Sequence, residues 1–138
     1  MNLNKIIAVL LIRLILGFTV LMQGFGKVFK MGVENIYKNM FSKFDGILPD
    51  FINYFTAYYT SYVELIGGLL LVLGFRTNYT LYILGSVLVI VTFGHGLAET
   101  IWDMSHVMYR AMLLIALLLL PREWDKYSVD YQINKSKK

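Results

Sequence analysis

Four apolar runs divide the chain, at residues 5–28, 51–73, 78–97 and 105–120. Crossing the hydrocarbon core takes about 20 mostly apolar residues. The fourth run is short and stops at Pro121, which cannot continue a helix. The connections at 74–77 and 98–104 are brief, so helices joined by them run antiparallel. The pattern predicts an all-α integral membrane fold: a four-transmembrane-helix antiparallel bundle forming one domain over residues 1–138, with a short polar tail at 121–138.

Between the first two runs the period changes. Val33, Ile36, Tyr37, Met40, Phe41 and Phe44 recur at spacings of three and four, with Glu34, Asn35, Lys38, Asn39, Ser42 and Lys43 opposite them. This predicts an amphipathic helix of about three turns, ended by Asp45-Gly46. It is too short and too polar to span, so it belongs at the membrane interface, packed as a lid on the bundle or lying beside it.

Composition strengthens the membrane reading. Charged residues make up 16% of the chain, where soluble domains carry about 25%. The net charge of +4 comes from basic residues scattered over loops and tail, with no aromatic-interleaved basic face for nucleic acid. With an inner N-terminus, the inner side holds Lys5, Arg76, Arg122, Lys126, Lys135, Lys137 and Lys138, and the outer side Lys27, Lys30, Lys38 and Lys43. That bias favours N-in, C-in, with Met1 and Lys138 both cytoplasmic. Tyr54, Tyr58, Tyr59 and Tyr62 crowd the outer end of the second run, as an interfacial belt does. Arg13 interrupts the first run and no small-x-small cleavage site follows it, so the run reads as a retained helix rather than a signal peptide. The chain has no cysteine, so no thiol relay or thiolate metal site can be built from it.

Ionisable residues within a span cost roughly 2.5–3.5 kcal/mol each on insertion scales and normally have partners. Counting rise from the inner ends puts Arg13 about 12 Å deep and Glu64 and Arg110 about 15 Å deep. The expectation is one charged cluster near the midplane. Gln23, His95 and His106 form a second layer about 20–27 Å from the inner ends, with Lys27 at the rim and Glu99 and Asp103 in the outer loop. Arg13, Gly17, Val20, Gly24 and Lys27 share a stripe, as do Ala57, Ser61, Glu64 and Gly68, so glycines allow close helix approach. The plain structural reading is an ion-pair network that fixes helix register. The functional reading is a ligand cavity open toward the outer rim. His95, Glu99, Asp103 and His106 are metal-ligating types, but no HxxxH or HExxH spacing supports a metal.

The order Arg13, Gly24-Phe-Gly-Lys27, Glu64-Leu-Ile-Gly67-Gly68, His95, Asp103-Met-Ser-His106 and Arg110, with the ending Ser128-Val-Asp130, resembles the DoxX family of small bacterial membrane proteins over almost the whole chain. The resemblance implies a four-helix bundle in the bacterial inner membrane. Some DoxX-like and DoxD-like proteins are subunits of thiosulfate:quinone oxidoreductase, others associate with redox enzymes, and a distant eukaryotic branch includes an assembly chaperone for receptor channels. The leading expectation is a quinone-interacting or membrane-anchoring oxidoreductase subunit. His95 and His106 are its candidate catalytic residues, and Arg13, Gln23, Lys27, Glu64, Asp103 and Arg110 its candidate substrate-binding residues. A quinone is the candidate cofactor; no haem, flavin or metal signature is present. The expected partners are the lipid bilayer and other membrane or periplasmic subunits, with no nucleic acid. The alternative is a non-catalytic accessory or assembly subunit; a small transporter is a third reading, disfavoured because no inverted repeat is evident. A cavity running from the outer rim to Glu64 favours ligand chemistry, and a closed ion-pair cluster favours the accessory reading.

Overall fold

The computed structural model describes residues 2–99 and 103–137. The expected cytoplasmic ends Met1 and Lys138, and the middle of the 98–104 connection, lie outside the described residues. The described residues are helical with short connections, in the order α1 (Leu3–Phe25), a π-helical extension (Gly26–Met31), α2 (Val33–Met40), a 3-10 turn (Ser42–Phe44), α3 (Asp50–Leu73), α4 (Thr77–Ala98), α5 (Ser105–Leu119), a 3-10 turn (Arg122–Trp124) and α6 (Val129–Ser136). Three helical segments are long and apolar enough to cross a membrane: Leu3–Met31, Asp50–Leu73 and Thr77–Ala98. The fourth, α5, has 15 residues, about 22 Å of rise.

The four long helices form a ring in which α1 packs on α3, α3 on α4, α4 on α5, and α5 on α1. The α1–α3 seam is the tightest. A Cβ placed on Gly24 would lie 2.2 Å from the Leu65 backbone nitrogen, and one on Gly68 would lie 2.4 Å from that of Leu21. Gly17 likewise faces Val72. Ascending positions on α1 therefore meet descending positions on α3, which makes the pair antiparallel. Lipid tails are as apolar as leucine, so burying apolar surface does little to hold helices together in a bilayer. Close backbone approach does the work instead.

The apolar core occupies one half of the ring. Val9, Leu16, Val20, Leu71, Leu81, Leu84, Leu114 and Leu117 form it, with all four long helices contributing. Its end of the bundle, the tail end, is closed by the C-terminal segment. The opposite, lid end is covered by α2 and the 3-10 turn after it, through buried Val33, Ile36 and Phe44. The amphipathic stretch expected as one helix over 33–44 is thus an α-helix of two turns followed by a 3-10 turn. The lid packs on α3 through an edge contact of Tyr37 with Tyr54, ring centroids 5.3 Å apart, and through a 3.3 Å hydrogen bond from the Tyr58 hydroxyl to Glu34.

The tail folds back on the bundle instead of trailing away from it. Asp130 accepts hydrogen bonds from the Arg76 and Thr77 backbone nitrogens at 2.7 and 2.8 Å, satisfying the open N-terminus of α4. Ser128 packs on Gly74, the left-handed C-cap of α3 at φ 69°, a position that excludes a side chain by both conformation and space.

The structure corrects the expectation of one midplane cluster containing Arg13, Glu64 and Arg110. Arg13 is buried at the tail end. Its Nε donates to Asp125 Oδ1 at 3.1 Å, Nη1 to the Leu71 and Val72 carbonyls, and Nη2 to the Tyr127 carbonyl at 3.1 Å. Two physical reasons explain the difference. The helix ends are not level: α1 extends past the end of α3, so Arg13 stands beside Gly74, while Glu64 stands beside Gly24, about 16 Å further along α1. In addition, side chains lean toward the N-terminus of their own helix. That direction is the tail end for α1 and the lid end for α3 and α5, so Arg13 diverges from Glu64 and Arg110. The carbonyls at the C-terminus of α3 are also the negative end of that helix, a favourable place for a guanidinium.

Candidate functional site

The lid half of the ring encloses a cavity of about 280 Å³. Close approach at Gly24 and Gly68 brings α1 against α3 and so sets Lys27, one turn above Gly24, beside Glu64. Lys27 Nζ lies 2.7 Å from Glu64 Oε2, with the carboxylate buried at 3% exposure. The ammonium approaches this oxygen off the hydrogen-bonding direction, so Oε2 has an ion-pair partner and no directed hydrogen bond. Lys27 lies within the π-helical extension of α1, where the wider turn rotates side chains away from α-helical register.

From the opposite wall, Arg110 Nη1 donates to Gln23 Oε1, tying α5 to α1. Arg110 Nε donates to the His106 carbonyl at 2.7 Å, which turns the guanidinium toward the lid end. His95 and His106 face each other across α4 and α5 in an edge-on pair, ring centroids 6.0 Å apart and planes at 79°. Lys43 and Phe44 close the mouth, the Phe44 ring lying against Gly94. The remaining surface is mostly apolar, with Ile36, Met40 and Phe41 from the lid and Leu88 and Val91 from α4, beside Thr56 and Thr60 of α3.

Six of the eight residues expected from sequence line this cavity: Gln23, Lys27, Glu64, His95, His106 and Arg110. Arg13 does not, being committed to the tail end. Asp103 does not either: its carboxylate accepts from the Ser105 backbone nitrogen at 2.9 Å at the start of α5. Hydrogen bonding from Ser105 holds the exposed Asp103 below the usual aspartate range. Among the described residues no three His, Asp or Glu side chains converge closely enough to hold a metal ion. Sequence reasoning missed Lys43 and Phe44. Lys43 read as part of a solvated face, whereas the shift from α to 3-10 winding after Met40 turns it over the cavity.

Lys27 and Arg110 set against the single carboxylate of Glu64 leave the inner wall with one surplus positive charge, and the exposed Lys43 adds a second at the mouth. An uncompensated charge in a low-dielectric site is costly, so the wall suits a ligand with electron-rich or anionic oxygen and an apolar body.

The DoxX family profile matches residues 8–98, more than half of the chain. The match takes in the α1–α3 seam, the Lys27–Glu64 pair and His95, and stops before His106 and Arg110. Searches of curated proteins and of solved structures find no match. With the family profile spanning the glycine seam and most of the polar cavity, this chain belongs to the DoxX family of membrane proteins.

Proposed function

We propose that the cavity at the lid end binds the head group of a quinone, and that the protein is a quinone-interacting subunit of an inner-membrane oxidoreductase. The observation that carries this reading is the cavity itself. It runs from Lys43 and Phe44 at the mouth to half-buried Lys27 and buried Glu64, with oxygen-seeking donors on one wall and mostly apolar side chains on the other. At about 280 Å³ it is at the small end of ligand pockets, a size suited to a head group rather than to a whole isoprenoid chain. In this reading Arg110 and Lys27 stabilise negative charge on quinone oxygen. His95 or His106 exchanges a proton with that oxygen as general acid or base.

The expected result is that His95→Ala and His106→Ala each lower quinone turnover by about 10²-fold or more while the melting temperature stays near that of wild type. The protein would be purified in mild detergent and its co-purifying quinone and polypeptides identified by mass spectrometry. Turnover would then be measured on the reconstituted assembly. Full activity in both variants would make the polar layer structural and leave the accessory reading.

In the same proposal the bundle spans the membrane four times, α5 being the short span, with the lid at the outer interface and both termini inside. A cysteine at Lys38 is expected to react with an impermeant thiol reagent in intact cells, and one at Lys137 only after the membrane is permeabilised. The reverse pattern would invert the orientation and open the cavity to the cytoplasm.

A further inference from the structure

The tail end holds a second, larger recess that the quinone reading does not use. A groove of about 550 Å³ lies between the start of α4 and the folded tail. Its wall presents Arg76 and Arg122 together with Glu123 and Asp130. Asp130 is occupied, both its oxygens accepting from the α4 N-terminus. Arg122 gives one nitrogen to the Leu117 carbonyl, and the Arg76 guanidinium forms no ion pair among the described residues. Two buried polar atoms in the lining, Thr77 Oγ1 and Asp125 Oδ2, have no hydrogen-bond partner, although their residues are only 1% and 2% exposed. A buried polar atom left unpaired is costly, which points to a partner that completes the site.

The chemistry of that partner follows from the wall. The guanidiniums call for anionic oxygen, Glu123 calls for a positively charged donor, and Asp125, already charge-paired with Arg13, leaves Oδ2 open to one hydrogen-bond donor. A wholly anionic group would leave the carboxylates facing like charge, and a neutral one would leave Arg76 without a counter-ion. The groove also lies at the start of α4, where Tyr79 in its lining and Tyr82 near Arg122 are 66% and 60% exposed, and Leu119 at the end of α5, three residues before Arg122, is 79% exposed. We propose that it binds the zwitterionic head group of an aminophospholipid of the phosphatidylethanolamine type. The phosphate sits on Arg76 and Arg122, the ammonium points to Glu123 and Asp125, and the acyl chains run along Tyr82 and Leu119. Thr77 supplies a hydroxyl to the phosphate oxygens.

The test uses delipidated protein in detergent, with thermal denaturation and native mass spectrometry as readouts. Phosphatidylethanolamine, phosphatidylglycerol and soluble glycerophosphoethanolamine are added separately. Arg76 is in the left-handed region at φ 47°, so Arg76→Gly removes the guanidinium without backbone strain. Thr77→Val is the isosteric second variant. The expected result is a stabilising shift and a retained adduct with phosphatidylethanolamine, weaker effects with phosphatidylglycerol, and none with the soluble ester. Apparent affinity falls about tenfold or more in Arg76→Gly. Equal shifts from both lipids, or undiminished binding by both variants, would overturn the proposal. A soluble ester that matches the lipid would overturn its assignment to a bilayer component.

Discussion

Gly24→Ala lowers the stability of the detergent-solubilised protein by about 3 kcal/mol or more, whereas Gly26→Ala leaves it unchanged or slightly raised. The added methyl at Gly24 would stand 2.2 Å from the Leu65 nitrogen and 2.6 Å from its Cα. These are backbone atoms of a packed helix, so no rotamer change relieves the clash and α1 must move off α3. At Gly26 a methyl meets nothing within 4 Å. There the helical φ of −60° suits alanine, so the usual gain of about 0.5–1 kcal/mol from replacing a helical glycine applies. Thermal denaturation of the two variants beside wild type decides the matter. Equal melting temperatures for both would mean that the seam is looser than described. Displacing α1 also separates Lys27 from Glu64, so under the proposed quinone reading Gly24→Ala is expected to weaken head-group binding at the lid cavity even where the fold survives.

Cutting the tail clamp has a comparable effect at the other end. Asp125→Ala leaves the 1%-exposed Arg13 without its counter-ion, and removing one partner of a buried pair typically costs about 3–5 kcal/mol. The double change Arg13→Met with Asp125→Ala is expected to cost less than the sum of Asp125→Ala and Arg13→Met measured singly, because no charge is then stranded. Denaturation of the three variants gives the coupling directly; strict additivity would mean that the two side chains are independent. The same pair has a pH signature. Burial raises the Asp125 carboxyl above the usual aspartate value, and the nearby guanidiniums of Arg13 and Arg122 only partly offset it. A raised folded-state pKa contributes stability that is complete below the unfolded value of 3.8 and lost as pH rises through the folded value. Wild type is therefore expected to gain stability relative to Asp125→Asn as pH falls toward 4. A gain in the opposite direction would show that the ion pair outweighs burial.

Much of the molecule was legible along the chain because hydropathy and period are local. The helices Asp50–Leu73, Thr77–Ala98 and Ser105–Leu119 begin and end within a residue of the apolar runs, since Gly74, Pro121 and the polar connections stop them. The amphipathic stretch after Gly32 carried its own buried face in Val33 and Ile36. Six cavity residues were identifiable because polar groups inside an apolar run are too costly to be incidental. The tail was the reverse case. Asp125, Ser128 and Asp130 are ordinary polar residues in a polar segment, and no local signal separates a solvated aspartate from one that clamps a buried arginine.

By itself, then, the sequence determined the long helices, the glycine stripes that let two of them touch, and the set of polar side chains that cannot face lipid. Which of those side chains meet was decided only by tertiary structure. Pairing depends on the stagger of helix ends and on the direction in which each side chain leans, and neither is a property of one segment. The α1–α3 seam fixes the stagger by letting Gly24 and Gly68 accept the opposing backbone. The antiparallel arrangement then sends Arg13 toward the tail and Glu64 and Arg110 toward the lid, because side chains on α1 lean the opposite way from those on α3 and α5. One expected charge cluster thereby becomes two separate polar sites, divided by the apolar core of Leu16, Leu71, Leu84 and Leu114.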